Sequence, residues 1–305
     1  MSAPRIICLA GPTGTGKTET SLILARRLGG AVVNFDSRQV YRGLGIVTAQ
    51  PTAAERGEVP HYLYGFLPPD REVSAGVFAK KVRSVVRHLL KKGLVPILAG
   101  GTGLYLKAIL GGLDEIPPIP DEVRARVQAQ WEQEGPQALR ARLEEIDPGY
   151  AAKIHPNDRQ RTTRALEVAL HTGRPFSSWH GQGQSAGEYQ ALVMGLRLDR
   201  EVLADRLETR IEAMLDAGAL AETRRVMETY PPDARALTGI GCAELCAHLR
   251  GEMDLAGAKA LWLKNTKAYA KRQMVWFKKE EGLIWFPPGG GEAMAELAAV
   301  FLAGA

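Results

Sequence analysis

The sequence predicts an α/β fold: a parallel sheet core like that of the P-loop NTPases, with a small helical domain inserted into it. Three observations carry this. Residues 11–18 read Gly-Pro-Thr-Gly-Thr-Gly-Lys-Thr, a full match to the phosphate-binding pattern G-x-x-x-x-G-K-[ST]. Strand-like and helix-like segments alternate over the first 110 residues, as a parallel sheet requires. Strand patterns then stop near residue 116 and return at residue 189, with only helical patterns between.

Taken in order, Arg5–Ala10 is a short apolar run of strand length leading into the loop. The next helix, Glu19 to Leu28, has Leu22, Leu24, Ala25 and Leu28 at helical spacing and stops at Gly29-Gly30. Ala31–Phe35 is a second strand, and Val95–Ala99 is the candidate central strand. Between them, Val77–Lys92 is a helix with Val82, Val85, Val86 and Leu89 inward and a basic outer face. Gly111–Pro120, rich in Gly and Pro, reads as a linker. Helices follow at Asp121–Glu134, Gln137–Glu145 and Asp158–His171, broken at Gly135-Pro136, Asp147-Pro148-Gly149 and Gly173. A loop rich in Gly, Ser and Gln covers 174–188, and Tyr189–Leu196 is strand again. Helices at Arg200–Asp216, Leu220–Thr229, Glu244–Leu249 and Leu255–Lys279 precede a last strand at Leu283–Phe286. The expected division is therefore 1–115 and 189–305 for the core, and 116–188 for the helical insertion.

The loop Gly11, Pro12, Thr13, Gly14, Thr15, Gly16, Lys17 and Thr18 turns backbone N–H groups and a helix N-terminus toward an anion. Lys17 adds a point charge, and Thr18 is placed to bind a magnesium ion, Mg2+, linked to the phosphates. A ligand bearing a pyrophosphate is implied. A mechanical ATPase would carry a magnesium-holding acid at the end of its central strand, but Val95–Ala99 runs into Gly100-Gly101-Thr102-Gly103. The only acid at a strand end near the loop is Asp36. Ligands of doubly wound sheets sit at the carboxyl ends of strands, so Asp36 is expected to face the phosphate site. There it can take a proton from an incoming nucleophile. The competing reading of Asp36 is an Asx-type turn with Ser37. The glycines around Thr102 leave room for a substrate against the backbone. Transfer of a group from a phosphorylated donor fits these pieces better than a mechanical ATPase.

Several blocks together resemble the tRNA dimethylallyltransferase family of bacterial type. They are Gly11–Thr18, Asp36-Ser37-Arg38-Gln39-Val40-Tyr41 and Gly100-Gly101-Thr102-Gly103-Leu104-Tyr105. To these add Ile154-His155-Pro156-Asn157-Asp158 with Arg161, Arg164 and Glu167, then Gly239-Ile240-Gly241, and Tyr269-Ala270-Lys271-Arg272-Gln273 with Trp276. The resemblance runs from about residue 5 to 286. Departures fall at Gly45, Val47 and Gln50, where the family usually has Asp, Gly and Lys, at Cys242 in place of Tyr, and around Tyr64-Gly65, where an acid is missing.

The resemblance implies transfer of a dimethylallyl group from dimethylallyl diphosphate to N6 of adenosine 37 in tRNA. It makes Asp36, Lys17 and Thr102 catalytic and assigns the 11–18 loop to the diphosphate. It places Asp36, Ser37, Arg38, Gln39, Thr102, Arg124, Gln160, Arg161, Thr162, Thr163 and Arg164 at the tRNA, gripping its anticodon stem-loop. Spacing separately sets Arg161 and Arg164 on one helix face, opposite Leu166 and Leu170. Lys264–Lys279 is basic throughout, and its interleaved Tyr269, Trp276 and Phe277 recur at helical spacing and read as core. His155 is read as support for the turn into the arginine helix.

Composition bounds the rest. At 305 residues and 45% hydrophobic the chain can bury a sizeable core. A net charge of +5 is compatible with an RNA partner. Three cysteines, Cys8, Cys242 and Cys246, cannot all pair and read as thiols, and the six scattered histidines suggest no metal cluster. No signal peptide or apolar run approaching 18 residues is seen, so a soluble cytoplasmic monomer with no membrane partner is expected. The alternative function is a small-molecule P-loop kinase, which also pairs the loop with a strand-end Asp and would use the insertion as a lid.

Overall fold

A computed structural model of the chain describes residues 3–114, 116–181 and 187–304. Two compact units result, Met1–Leu110 with Gly187–Ala305, and Gly111–Ala186. The second begins before residue 116, so the Gly- and Pro-rich stretch goes with the helices rather than the sheet.

In the first unit β1 (Arg5–Ala10) leads through the glycine-rich loop into α1 (Lys17–Leu28) and β2 (Gly30–Asn34). Then come α2 (Ala53–Glu58), β3 (His61–Tyr62), α3 (Ala75–Lys91), β4 (Val95–Ala99) and α4 (Gly103–Leu110). In the second unit α5 (Asp121–Ile146), α6 (Pro148–Ala151), α7 (Arg159–Thr172) and a 3-10 turn at Phe176–Trp179 follow. The chain returns with β5 (Gln190–Leu196), α8 (Arg200–Asp216), α9 (Ala219–Thr229), a 3-10 turn at Arg235–Thr238 and α10 (Cys242–Leu249). It ends with α11 (Leu255–Phe277), β6 (Ile284–Phe286) and α12 (Gly291–Ala303).

All strands run parallel in the order β3-β2-β4-β1-β5-β6. β1 sits between β4 and β5, with Leu9 in register with Ala99 on one side and Met194 on the other. Ile6, Ile7, Cys8, Leu9 and Ala10 are wholly buried, which explains a continuous apolar run rather than an alternating one. The loops after β1, β2 and β4 therefore open at the same sheet end.

The sequence missed α12, which packs on α1 with Met294, Ala295 and Ala298 buried. Met294, Leu297 and Phe301 pack on the core beside its alanines, but the rest of the helix is nearly as apolar and Pro287-Pro288-Gly289-Gly290 precedes it, so neither hydropathy contrast nor a start signal marked it. The two-residue β3 and the short α2 and α4 also carry too few residues for a periodic signal.

In the helical unit Gly135 adopts φ 80° and, with Pro136, kinks α5 where the sequence broke it into two helices. Val127, Leu139, Leu143, Ile154, Ala165 and Leu166 form its core, with Trp131, Tyr150 and Phe176 against them. Leu170, expected inward, is exposed. His155 Nδ1 accepts the Asn157 N–H at 3.1 Å and Asp158 caps α7 through the Arg161 N–H at 3.0 Å. Asp147 is buried and accepts from Tyr150 N, Ser177 N (2.7 Å) and Ser177 Oγ (2.8 Å), joining α6 to the 3-10 turn. Asp147→Ala strands two backbone donors, and a loss of about 3 kcal/mol is expected. Urea unfolding checks it: a midpoint equal to that of the wild type would remove Asp147 as the anchor of that turn.

Candidate active site

The glycine loop is shaped by φ angles only glycine adopts readily: 140° at Gly11, 84° at Gly14 and 93° at Gly16. Thr15 Oγ1 donates to Pro12 O at 2.9 Å and closes the turn. Lys17 folds back over it, its Nζ donating to Gly11 O (2.9 Å) and Pro12 O (2.7 Å). Burial pushes the Lys17 ammonium down to about 8; the Asp36 charge opposes this and Arg210 adds to it. Thr18 lines the same cleft, and its hydroxyl has no hydrogen-bond partner among the described residues. No group of three His, Cys, Asp or Glu side chains able to hold a metal occurs among those residues. One hydroxyl completed by phosphate oxygens and water suits Mg2+, which keeps most of its waters.

The cleft holds about 1050 Å3 and joins this loop to the end of β2. Asp36 N donates to Asn34 Oδ1 at 2.7 Å, and buried Asn34 also holds the Asp36 and Leu63 carbonyls. Asp36 does make an Asx turn, its Oδ1 accepting from Arg38 N at 2.8 Å. That bond uses one oxygen. The other, Oδ2, lies beside the Cα of Gly101, where an added Cβ would stand 3.2 Å from it. The turn and the site-facing carboxylate are thus compatible. Thr102 Oγ1 accepts from Ser37 N at 3.0 Å and bonds Ser37 Oγ at 3.2 Å, tying the β2 and β4 loops together.

Arg38 and Gln39 reach the cleft with their polar groups already engaged. Arg38 Nη2 donates to Ala236 O at 2.6 Å, and its guanidinium lies over the Tyr41 ring and fills the space a side chain at Gly239 would need. Gln39 Nε2 donates to Ala49 O at 2.5 Å and Thr48 O at 3.2 Å, holding Ala49 at φ 51°. The neighbouring departures are accommodated. Ile46 N and Val47 N both donate to buried Glu222 of α9 at 2.9 Å. Gln50 Nε2 donates to Tyr41 O at 2.7 Å while its Oε1 accepts from Arg56 at 3.2 Å. Cys242 is buried and its thiol pushed up to about 12 by burial, which marks it as packing rather than reactive.

Sequence reasoning missed three contributors. Arg210 of α8 donates to Thr13 Oγ1 at 2.8 Å; burial lowers its pKa, with Asp36 opposing. Nothing in the sequence distinguished it from other charges on an amphipathic helix. Gln273 of α11 bridges Thr13 N and Gly101 O. Tyr269 was read as core, but it lines the cleft beside Thr102; burial and then Asp36 push its phenol up. Phe277 is buried as expected, while Trp276 stays partly exposed against Gly103. Leu207, Ile211, Met214, Ile240 and Trp262 give the cleft an apolar wall.

The remaining site candidates belong to the helical unit. Arg161 pairs with Asp158 at 3.6 Å, Arg164 with Glu167 at 3.5 Å and Arg124 with Asp121 at 3.4 Å. Gln160 is exposed. Thr162 and Thr163 are buried by the helical packing of α7, and Thr163 Oγ1 donates to Arg159 O at 2.9 Å. The solvent-facing members of that run are Gln160, Arg161 and Arg164.

Comparison with known proteins completes the site. The family model described as IPP transferase matches residues 39–280. A tRNA dimethylallyltransferase of Nitratidesulfovibrio vulgaris (strain DP4) is 49% identical over 302 residues, covering 99% of this chain and 98% of the relative. One of Maridesulfovibrio salexigens is 47% identical, covering 93% and 92%. The crystal structure of the tRNA isopentenylpyrophosphate transferase of Bacillus halodurans superposes with a TM-score of 0.73 at 32% identity, covering 99% and 97%. A eukaryotic dimethylallyltransferase captured acting on tRNA gives 0.81 at 27% identity, covering 97% of this chain and 78% of that one. With its phosphate loop, strand-end carboxylate and all-parallel sheet, this chain belongs to the IPP transferase family.

Proposed function

We propose that the chain transfers a dimethylallyl group from dimethylallyl diphosphate to N6 of adenosine 37 in tRNA, giving N6-isopentenyladenosine next to the anticodon. The observation that carries this is one cleft in which a phosphate loop with Lys17 faces the Asp36 carboxylate. The diphosphate rests on the loop amides, with Lys17 and Arg210 against its charge. The apolar wall of Leu207, Ile211, Met214, Ile240 and Trp262 receives the dimethylallyl tail. Thr18 would hold Mg2+, which when bound would supply charge neutralisation of the diphosphate.

The adenine amine is a weak nucleophile. Its nitrogen forms the bond to the allylic carbon as the carbon–oxygen bond to diphosphate breaks and that electron pair leaves with the diphosphate. Asp36 takes the N6 proton and orients the amine. Loop amides and Lys17 stabilise the charge growing on the leaving group. The base must leave its stack to reach Asp36, and Ser37 and Thr102 line its approach. Gln160, Arg161 and Arg164, with Arg124, grip the anticodon stem-loop through phosphates. A kinase would need neither the stem-loop nor an allylic donor, and membership of a transferase family sets it aside. One chain supplies every residue named, so a monomer suffices. No described helix is long and apolar enough to cross a membrane, and we place the enzyme in the cytoplasm with its tRNA.

Lys17 titrating near 8 gives a pH dependence. An anion beside it raises its pKa, so binding takes up a proton when the free site has lost one. Affinity for inorganic diphosphate should therefore fall, relative to Lys17→Met, by about tenfold per pH unit above 8. Calorimetry across pH 7 to 9 checks it, and parallel profiles for the two proteins would contradict it. Asp36→Asn keeps the shape and removes the proton acceptor, so transfer should drop about 100-fold while the stem-loop still binds. A parallel fall in binding and turnover would make Asp36 a binding residue only. Replacing Arg161 and Arg164 together with Ala should weaken stem-loop binding and leave diphosphate binding intact. The log–log salt slope should flatten by about 0.7–0.9 for each phosphate the variant no longer neutralises. An unchanged slope in a filter-binding series would release both arginines from the RNA.

A further inference from the structure

Tyr269, Gln273 and Trp276 stand at i, i+4 and i+7 on α11 and so share one helix face. Each touches a loop that carries part of the reaction. The Tyr269 phenol comes up to Thr102. The Trp276 ring packs on Gly103 so closely that a Cβ there would lie 2.1 Å from it. Gln273, 5% exposed, uses both ends of its amide: Oε1 accepts from Thr13 N at 2.9 Å, and Nε2 donates to Gly101 O at 2.8 Å. One partner can only donate and the other only accept, so the amide has a single orientation. Thr13 belongs to the diphosphate loop after β1. Gly101 belongs to the loop after β4 that carries Thr102. The glycine also separates the amide from the base, since a Cβ on it would stand 2.2 Å from Gln273 Nε2 and 3.2 Å from Asp36 Oδ2.

We propose that Gln273 is a positioning residue for the transfer, its amide fixing the gap between the loop that holds the leaving diphosphate and the loop against which the adenine approaches. The proposal rests on the function given above. Gln273 acts through Thr13 and Gly101. The allylic carbon has to be within bond-forming reach of N6 while its diphosphate sits on the other loop. A displacement of about 1 Å between the two costs about 100-fold in rate without weakening what holds either substrate. A residue that only stabilised the fold would not produce that split.

The test uses the full chain with dimethylallyl diphosphate, magnesium and an anticodon stem-loop. Gln273→Met keeps the volume and loses both hydrogen bonds; kcat should fall about 100-fold with KM for both substrates nearly unchanged. In Gln273→Glu an ionised carboxylate still accepts from Thr13 N but cannot donate to Gly101 O. Its protonated form does both, so its rate relative to wild type should recover as pH is lowered, while that of Gln273→Met stays flat. Hydrogen exchange should show residues 11–17 and 99–105 losing protection together in Gln273→Met, and not in Lys271→Met on the exposed side of the same helix. Wild-type kcat in the Met variant, a loss confined to KM, or a Glu profile parallel to wild type would each overturn the positioning role. No transfer by the wild-type chain would instead sink the proposed function and the positioning role with it, and hydrogen exchange would still report whether the amide couples the two loops.

Discussion

Positive charge withdrawn from water and set beside one carboxylate organises the catalytic unit. Lys17 and Arg210 are both drawn down by burial, and Asp36 opposes the shift in each. Lys17 meanwhile leans on the carbonyls of Gly11 and Pro12. Such a site is costly while empty and favourable once an anion arrives, because desolvated cations gain more from a phosphate than solvated ones do. The same arrangement keeps the half-buried Asp36 from being an isolated charge. The apolar wall formed by α8, α11 and Ile240 completes the contrast, one side of the cleft suited to diphosphate and the other to hydrocarbon.

The sheet makes that arrangement possible. With β1 between β4 and β5 and β2 beyond β4, the diphosphate loop, Asp36 and Thr102 emerge from three neighbouring strands at one end. Thr102 stitches the loops after β2 and β4 together through Ser37, Asn34 holds the carbonyl of Leu63 after β3, and Arg210 of α8 holds Thr13 in the loop after β1. The chain leaves this unit at Leu110 and rejoins it at Gly187 to pair β5 directly with β1. An entire helical unit is therefore accommodated without breaking the ladder beside the first strand.

The parts legible in the sequence were those fixed by local chemistry. The loop's glycines are demanded by its φ angles, the buried strands by their unbroken apolar runs, and the helix breaks by Gly135-Pro136 and Asp147-Pro148-Gly149. Asp36 could be found because a strand end is a place, not a pairing. What stayed hidden depends on residues far apart in the chain. Arg210 and Gln273 meet Thr13 across 197 and 260 positions, so no window of sequence contains the reason for either. Tyr269 misled because a helix facing a cleft shows the same periodicity as one facing a core. α12 escaped because it is apolar around most of its circumference, which leaves little hydropathy contrast between its faces.

Gln50 and Gly65 illustrate how one part of the site constrains its own history. Gly65 holds φ 56°, and a Cβ there would come within 2.9 Å of the Gln50 side-chain oxygen, which also receives Arg56. The resembling family carries a lysine at the first place and an acid near the second. In this chain a lysine at 50 would set a second cation beside Arg56, and a side chain at 65 would have to hold a positive φ and displace the end of the glutamine. Each exchange disturbs the partner of the other, so the two positions are coupled, and a segment transplanted from a relative would arrive without its counterpart.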